Sequence, residues 1–224
     1  MMKTVCVTLT DRKYGKQSPH ANHSQTHFSS IGLDVQNFYG IHAERIGVNS
    51  VVTSLVIGAS DPNRTQSIGM MSTGCWLSHR ALWAALLLLP DDEFLVIEDD
   101  ARFQENWKAR FDRALVDVPA DWDMLYVGSC CVSSTRRLVR GEVYDNAMPQ
   151  CTHAYCVRRK ALMPLCELAD EAGVRKPVDT FLVHHATSQL RIYTVLPRIA
   201  DQYDAVLPEG DGGSGVFGSS AGFP

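Results

Sequence analysis

The sequence has no pair of cysteines two residues apart, no long apolar run and no excess of positive charge. Each absence closes a class of function. Seven cysteines without a C-x-x-C pair fit neither a zinc ribbon nor an even disulfide framework. Cys6 and Cys156 stand inside apolar, strand-like segments, where a thiol acts as a small hydrophobe. The expectation is therefore a set of reduced thiols in a cytoplasmic protein. The longest apolar run, Ala81–Leu89, falls short of the roughly 20 residues that a membrane helix needs. It reads as a buried helix, leaving at most peripheral membrane contact. The first residues, "MMKTVCVTLT", go directly into a strand pattern and show no signal peptide. A net charge of -4 argues against binding nucleic acid by charge alone, so no stable nucleic-acid partner is expected.

What is present is an ordinary globular composition, 45% hydrophobic and 21% charged over 224 residues. That length suits one sizeable domain. Strand patterns occur at 4–9, 51–58, 93–100, 123–129, 152–157 and 190–197. Helical patterns occur after Gly74, at 105–118 and near 160–171, with Gly173 as the last one's stop. Pro164 asks that the third helix begin close to it. A short helix is expected over 178–186, and the polar stretch 13–30 reads as a long loop. Alternating strands and helices predict an α/β fold, a mostly parallel central sheet with helices on both faces. The domain is expected to span 1–207, followed by a disordered Gly/Ser-rich tail at 208–224.

In such sheets ligands bind beyond the carboxyl ends of the strands. Two stretches fall there. One is "TDRK" after the first strand. The other is "LVIEDDARF", where an apolar strand runs into Glu98, Asp99 and Asp100. Adjacent carboxylates at a strand end suit a hard divalent cation, which takes one or two carboxylates and fills its shell with water and phosphate oxygens. A solvated turn with a helix cap is the competing reading.

The wider pattern resembles glycosyltransferase family 25, which includes lipooligosaccharide galactosyltransferases and collagen galactosyltransferase domains. "GCWLSHRALW" is similar to that family's G-C-x-x-S-H-x-x-x-W stretch, and "FLVIEDDARF" to its L-E-D-D segment. "THAYCVRRKAL" and "PVDTFL" follow in the family's order, and "VTLTDRK" and "HFSSIGLDVQNFYGIHA" precede them.

The resemblance implies a GT-A-like fold and an inverting hexosyl transfer from a UDP-sugar, with Mn²⁺ or Mg²⁺ as cofactor. The acceptor would be a glycan, in lipopolysaccharide or surface glycan synthesis. A protein or modified nucleic-acid acceptor is the first alternative, and a catalytically idle nucleotide-sugar-binding module the second. On this reading Glu98 and Asp100 are metal ligands, with an inward-facing Glu98 that ties down a neighbouring loop as the alternative. Asp99 contacts the donor ribose or shares the metal, Thr10, Asp11 and Arg12 lie beside the nucleotide, and Ser78 and His79 contribute to the pocket. Asp179 of "PVDTFL" is the catalytic base, with Asp121 and Asp123 as rivals at the wrong end of their strand. Trp76 and Trp83 are expected in the core. His184 or His185 is a conceivable further metal ligand. Arg136, Arg137 and Arg140 read as a basic loop suited to an anionic acceptor. The stretch 13–30 departs from the family, whose members often carry an amphipathic helix there.

Overall fold

The computed structural model describes residues 2–8, 10–11, 16–17, 19–42 and 70–202. The expected strand at 51–58, the tail and Arg12 lie outside them. The centre is an eight-stranded sheet in the order β4-β1-β5-β10-β7-β11-β9-β8. These strands are β1 (Lys3–Thr8), β4 (Gln36–Tyr39), β5 (Glu93–Glu98), β7 (Met124–Gly128), β8 (Arg137–Arg140), β9 (Val143–Asp145), β10 (Ala154–Arg158) and β11 (Ile192–Val195). β1 pairs in parallel with β4 and β5, and β7 with β11. β10 runs antiparallel between β5 and β7, and β9 antiparallel between β11 and β8. All strands but β9 and β10 therefore point one way.

The central strands are buried on both faces, and their side chains alternate between two cores. Val5, Val7, Phe94, Val96, Met124, Tyr126, Tyr155 and Val157 face one side. There they meet α2 (Met70–Leu86), α4 (Arg159–Ala172) and α5 (Val178–His184) through Trp76, Leu82, Trp83, Leu162, Leu165 and Phe181. Cys6, Leu95, Ile97, Leu125, Val127, Ala154 and Cys156 face the other side. They pack on α1 (Pro19–Ser30) and α3 (Trp107–Asp117) through Phe28, Trp107 and Phe111. Helices on both faces, as the alternation predicted, are what a sheet apolar on both sides requires.

Several expectations are corrected. Residues 19–30 form a helix rather than a loop. Pro19 opens it, where its missing N–H costs nothing, and Phe28 is buried against Phe103. Helix α2 starts at Met70, so Gly74 lies inside it. Pro164 sits in the second turn of α4, not near its start. Burial of Ala161, Leu162, Leu165, Cys166 and Ala169 outweighs the one hydrogen bond lost there. The basic segment is a hairpin, β8 and β9, turned at Gly141 with φ 56°. Its arginines are engaged: Arg137 on Asp145, Arg140 on Asp117 at 3.0 Å, and Arg136 on the Ser133 carbonyl at 3.1 Å. Cys130 and Cys151 form a disulfide, which overturns the expectation of reduced thiols throughout. Backbone bonds between Cys130 and Gln150 and between Gln150 and Cys131 bring the two segments together.

Candidate functional site at the carboxyl rim of the sheet

The ends of β1, β5 and β7 and the start of β10 open on one rim. Thr8, Glu98, Gly128 and Ala154 mark it. After Glu98 the chain turns through Asp99 and Asp100. It then enters β6 (Ala101–Phe103), which pairs with β12 (Ala200–Gln202). That short second sheet fixes the acids from behind.

The three carboxylates have different surroundings. Asp99 Oδ2 accepts from Thr8 Oγ1 at 2.9 Å, and the Asp99 amide donates to the Val7 carbonyl at 3.1 Å. Asp99 is thereby fastened to the end of β1, and its own carbonyl accepts from Ser24. Asp100 Oδ2 accepts from Gln202 Nε2 at 2.7 Å, but Oδ1 is buried with no partner. Burial pushes the Asp100 carboxyl up to about 7, and the charges of Glu98 and Asp99 add to this against the Gln202 hydrogen bond. A divalent ion fits this position. It would satisfy the orphaned oxygen and offset the crowded charge.

Glu98 is aimed elsewhere. Its Oε1 accepts from Thr152 Oγ1 at 2.6 Å and lies 2.9 Å from His79 Nε2. Burial alone would raise its pKa. The hydrogen bonds from His79 and Thr152 bring it below the ordinary value. His79 is fully buried, and its Nδ1 lies 2.9 Å from Tyr155 Oη, which also accepts from Trp83 Nε1 at 2.9 Å. Because Trp83 only donates, the Tyr155 proton points at His79 Nδ1. That leaves Nε2–H to donate to Glu98. The expectation that Glu98 and Asp100 hold one ion is altered accordingly. Glu98 stands with Cys75 and His79, whose ligand atoms all lie within 4.8 Å of one another.

Ser78 does not line the pocket through its hydroxyl. Ser78 Oγ donates to the Gly74 carbonyl at 2.6 Å and accepts from the Ile41 amide at 2.7 Å, tying α2 to the segment after β4. Trp76 and Trp83 are in the core, as expected. Thr10 and Asp11 lie on β2 (Thr10–Asp11), which pairs with β3 (Lys16–Gln17) just beyond β1.

Asp179 stands near the start of α5. Its Oδ2 accepts from the Cys151 amide at 3.0 Å and its Oδ1 from the Thr180 amide at 2.6 Å. The Cys151 amide that it accepts from precedes Thr152, which donates to Glu98, so Asp179 stands beside the same cluster. Asp123 is spent on Lys160 at 2.9 Å and on the Arg191 amide at 2.8 Å, and Asp121 faces Arg191. Both lie at the amino end of β7, as their sequence position predicted. His184 and His185 line a different cleft of about 500 Å³ with Arg175, Lys176 and Phe181. The structure does not group them with the acids.

A profile of glycosyltransferase family 25, described as an LPS biosynthesis protein, matches residues 16–182. The chain belongs to glycosyltransferase family 25. A glycosyltransferase 25 family member of Aedes aegypti is 30% identical over 106 residues, 45% of this chain and 18% of the relative. An inactive glycosyltransferase 25 family member 3 of Homo sapiens is 32% identical over 84 residues, 36% of this chain and 14% of the relative. The chain thus spans less than a fifth of the length of these curated relatives. A solved glycosyltransferase involved in glycosylating the major capsid of PBCV-1 has 12% identity and a TM-score of 0.48, with 89% of this chain and 93% of that chain covered. Among the described residues no helix is long and apolar enough to cross a membrane.

The family stretches also contain site residues that motif reading passed over. Thr152 and Tyr155 are the threonine and tyrosine of "THAY", read above only as part of a strand. One holds Glu98 and the other orients His79. Thr8 and Gln202 had no local signal. Their contacts to Asp99 and Asp100 span 91 and 102 residues of sequence.

Proposed function

We propose that the protein transfers a hexose, galactose or glucose, from a UDP-sugar to a saccharide acceptor with inversion, in a divalent-metal-dependent reaction. The observation that carries this is Asp100, whose buried Oδ1 has no partner at the end of β5. Mn²⁺ or Mg²⁺ held there would neutralise charge developing on the departing diphosphate. Asp100 supplies the ligand oxygen, and Gln202 fixes its orientation. Asp99, braced by Thr8, is assigned to the donor ribose, and Thr10, Asp11 and Arg12, which follow β1 in sequence, to the nucleotide. Glu98 holds His79 and Thr152, so it shapes the wall of the site. Asp179 is assigned as the base that takes the acceptor hydroxyl proton, its carboxylate held in place by the Cys151 and Thr180 amides.

The acceptor assignment, lipopolysaccharide or another surface glycan, follows the family description. A protein or modified nucleic-acid acceptor uses the same chemistry. The inactive human relative favours a second reading, an idle nucleotide-sugar-binding module. The Cys130–Cys151 disulfide weighs against the cytoplasmic location, since such bonds persist in oxidising compartments. The deciding experiment is titration with UDP-galactose, UDP-glucose and UDP-N-acetylglucosamine, with and without Mn²⁺. UDP release that needs Mn²⁺ and disappears in Asp100→Ala supports the enzyme. Donor binding that is indifferent to metal and never turns over, across an acceptor library, supports the idle module.

A further inference from the structure

Cys75 and His79 are four residues apart on α2, so they share a helix face. That face is turned to the end of β5. Cys75 Sγ lies 3.9 Å from Glu98 Oε1, and His79 Nε2 lies 2.9 Å from the same oxygen. A thiol, an imidazole and a carboxylate therefore converge within 4.8 Å. Such a donor set belongs to the chemistry of Zn²⁺ and Co²⁺. These ions accept sulfur, nitrogen and oxygen together in tetrahedral geometry, whereas Mg²⁺ and Mn²⁺ prefer oxygen alone.

The surroundings match what a metal-binding histidine needs. Its second ring nitrogen is held by Tyr155 Oη at 2.9 Å, and Tyr155 is held in turn by Trp83 Nε1 at 2.9 Å. An outer partner of this kind fixes the ring so that the ligating nitrogen faces the ion. His79 is buried, but Cys75 and Glu98 are only half-buried, so the cluster can be reached from the rim. Three protein ligands leave a fourth position, beside Thr152 Oγ1, which is 2.6 Å from Glu98 Oε1.

We infer that Cys75, His79 and Glu98 form a binding site for a zinc-class ion, separate from the hard-cation position at Asp100. Coordination replaces the Cys75 proton, which leaves to solvent, and moves the His79 ring proton to Nδ1, with Tyr155 Oη turning from donor to acceptor. The ion then takes over the tie between α2 and β5 that the His79–Glu98 hydrogen bond makes. This assignment does not depend on the transfer reaction, and its test reads the metal directly.

The purified protein, stripped of metal by dialysis against a chelator, is titrated with Co²⁺. One equivalent is expected to bind with a thiolate-to-cobalt band in the near ultraviolet and visible bands typical of tetrahedral coordination. Zn²⁺ should bleach both, and excess Mg²⁺ should not. Cys75→Ser should abolish the thiolate band, and Glu98→Gln should weaken Co²⁺ binding at least tenfold with the band retained. Cys131→Ser and Asp100→Asn should leave the spectrum unchanged. Far-ultraviolet circular dichroism confirms that each variant is folded, and Glu98→Gln keeps the test alive if Cys75→Ser is not. An unchanged thiolate band in Cys75→Ser, a band lost in Cys131→Ser, or no tetrahedral Co²⁺ spectrum in the wild type overturns the assignment.

Discussion

Aspartates at the two rims of the sheet lead different lives. At the amino rim, Asp123 meets Lys160 and the Arg191 amide, and Asp121 faces the Arg191 guanidinium. At the carboxyl rim, Asp100 has Gln202 on one oxygen and nothing on the other, and Glu98 is held by an imidazole and a hydroxyl. The functional group is a carboxylate at both rims. The difference is whether the fold supplies a counter-charge. Where it does, the acid contributes to stability. Where a buried carboxylate lacks one, its cost has to be met by something the chain does not carry.

The sharpest way to break this comparison is to neutralise one acid from each rim. Asp100→Asn is expected to lower Mn²⁺-dependent UDP release by about 100-fold or more, since it removes the charge that holds the cation. Its melting temperature should match or exceed that of the wild type, because the substitution relieves repulsion from Glu98 and Asp99. Asp123→Asn should do the reverse. It should keep turnover within about twofold and lose about 1–2 kcal/mol of stability in urea unfolding, by weakening the Lys160 pair and the Arg191 hydrogen bond. Equal losses of activity in the two variants would show that the rims are not functionally distinct.

The second break concerns the bracing of Asp179. The Cys130–Cys151 disulfide closes a loop of 21 residues, and the Cys151 amide donates to the Asp179 carboxylate. Cys151→Ser is expected to cost about 3 kcal/mol by the loop-entropy relation. It should also lower the maximal rate more than it raises the donor KM, because the amide that braces Asp179 is no longer held by the disulfide, whereas the Asp100 site is untouched. A lower stability with unchanged maximal rate would separate the disulfide from the site.

These contrasts also explain what was legible in the sequence. The alternation of Val5, Cys6 and Val7, and of Phe94 through Ile97, announced a sheet with two apolar faces. "EDD" at a strand end announced a charged rim. Helix α1 was not legible, because "PHANHSQTHFSS" carries no apolar stripe and is held by a single large anchor, Phe28, with Ser24 and His27 bonding to the chain around Asp99 and Phe103. The hairpin at 137–145 was hidden because its strand β8 is exposed along its length and shows no alternation. The division of labour between Glu98 and Asp100 was equally hidden. It is decided by which way each side chain turns at the end of β5, and by Thr152 and Gln202, which only the fold brings near.

At the edge of the sheet, the hairpin offers a smaller test. Gly141 sits at φ 56°, and an added Cβ would collide with the Asp117 carboxylate, a buried group held by Arg140 and Arg113. Gly141→Ala is expected to cost about 1–3 kcal/mol, from left-handed backbone strain and the displaced ion pair. UDP release should not change, since Asp117 pairs with Arg113 and Arg140 and not with the residues that hold Glu98, Asp99, Asp100 or Asp179. A matched loss of activity would mean that the hairpin communicates with the site.

The smallest expected effect is a pH dependence of stability at the carboxyl rim. His153 is fully buried behind Gly128, with Nε2 against the Ala200 carbonyl and Nδ1 unpartnered. Burial holds its pKa below the ordinary histidine value, despite the opposing charge of Glu98. The folded protein therefore keeps His153 neutral at a pH where the unfolded chain, near 6.5, begins to take up a proton. Below about pH 6.5 the unfolded state binds more protons, so stability falls as pH falls and levels off above that window. Asp100 leans the other way, because its raised pKa makes the metal-free fold lose stability as pH rises toward 7. The measurement is the difference in melting temperature between the wild type and His153→Asn from about pH 7.5 to 5.5, in which the Asp100 contribution cancels. The gap between them should narrow by a few degrees, about 1 kcal/mol, toward the acid end. A gap that stays constant would mean that His153 accepts a proton within the fold, and that the rim tolerates a buried cation there without a partner.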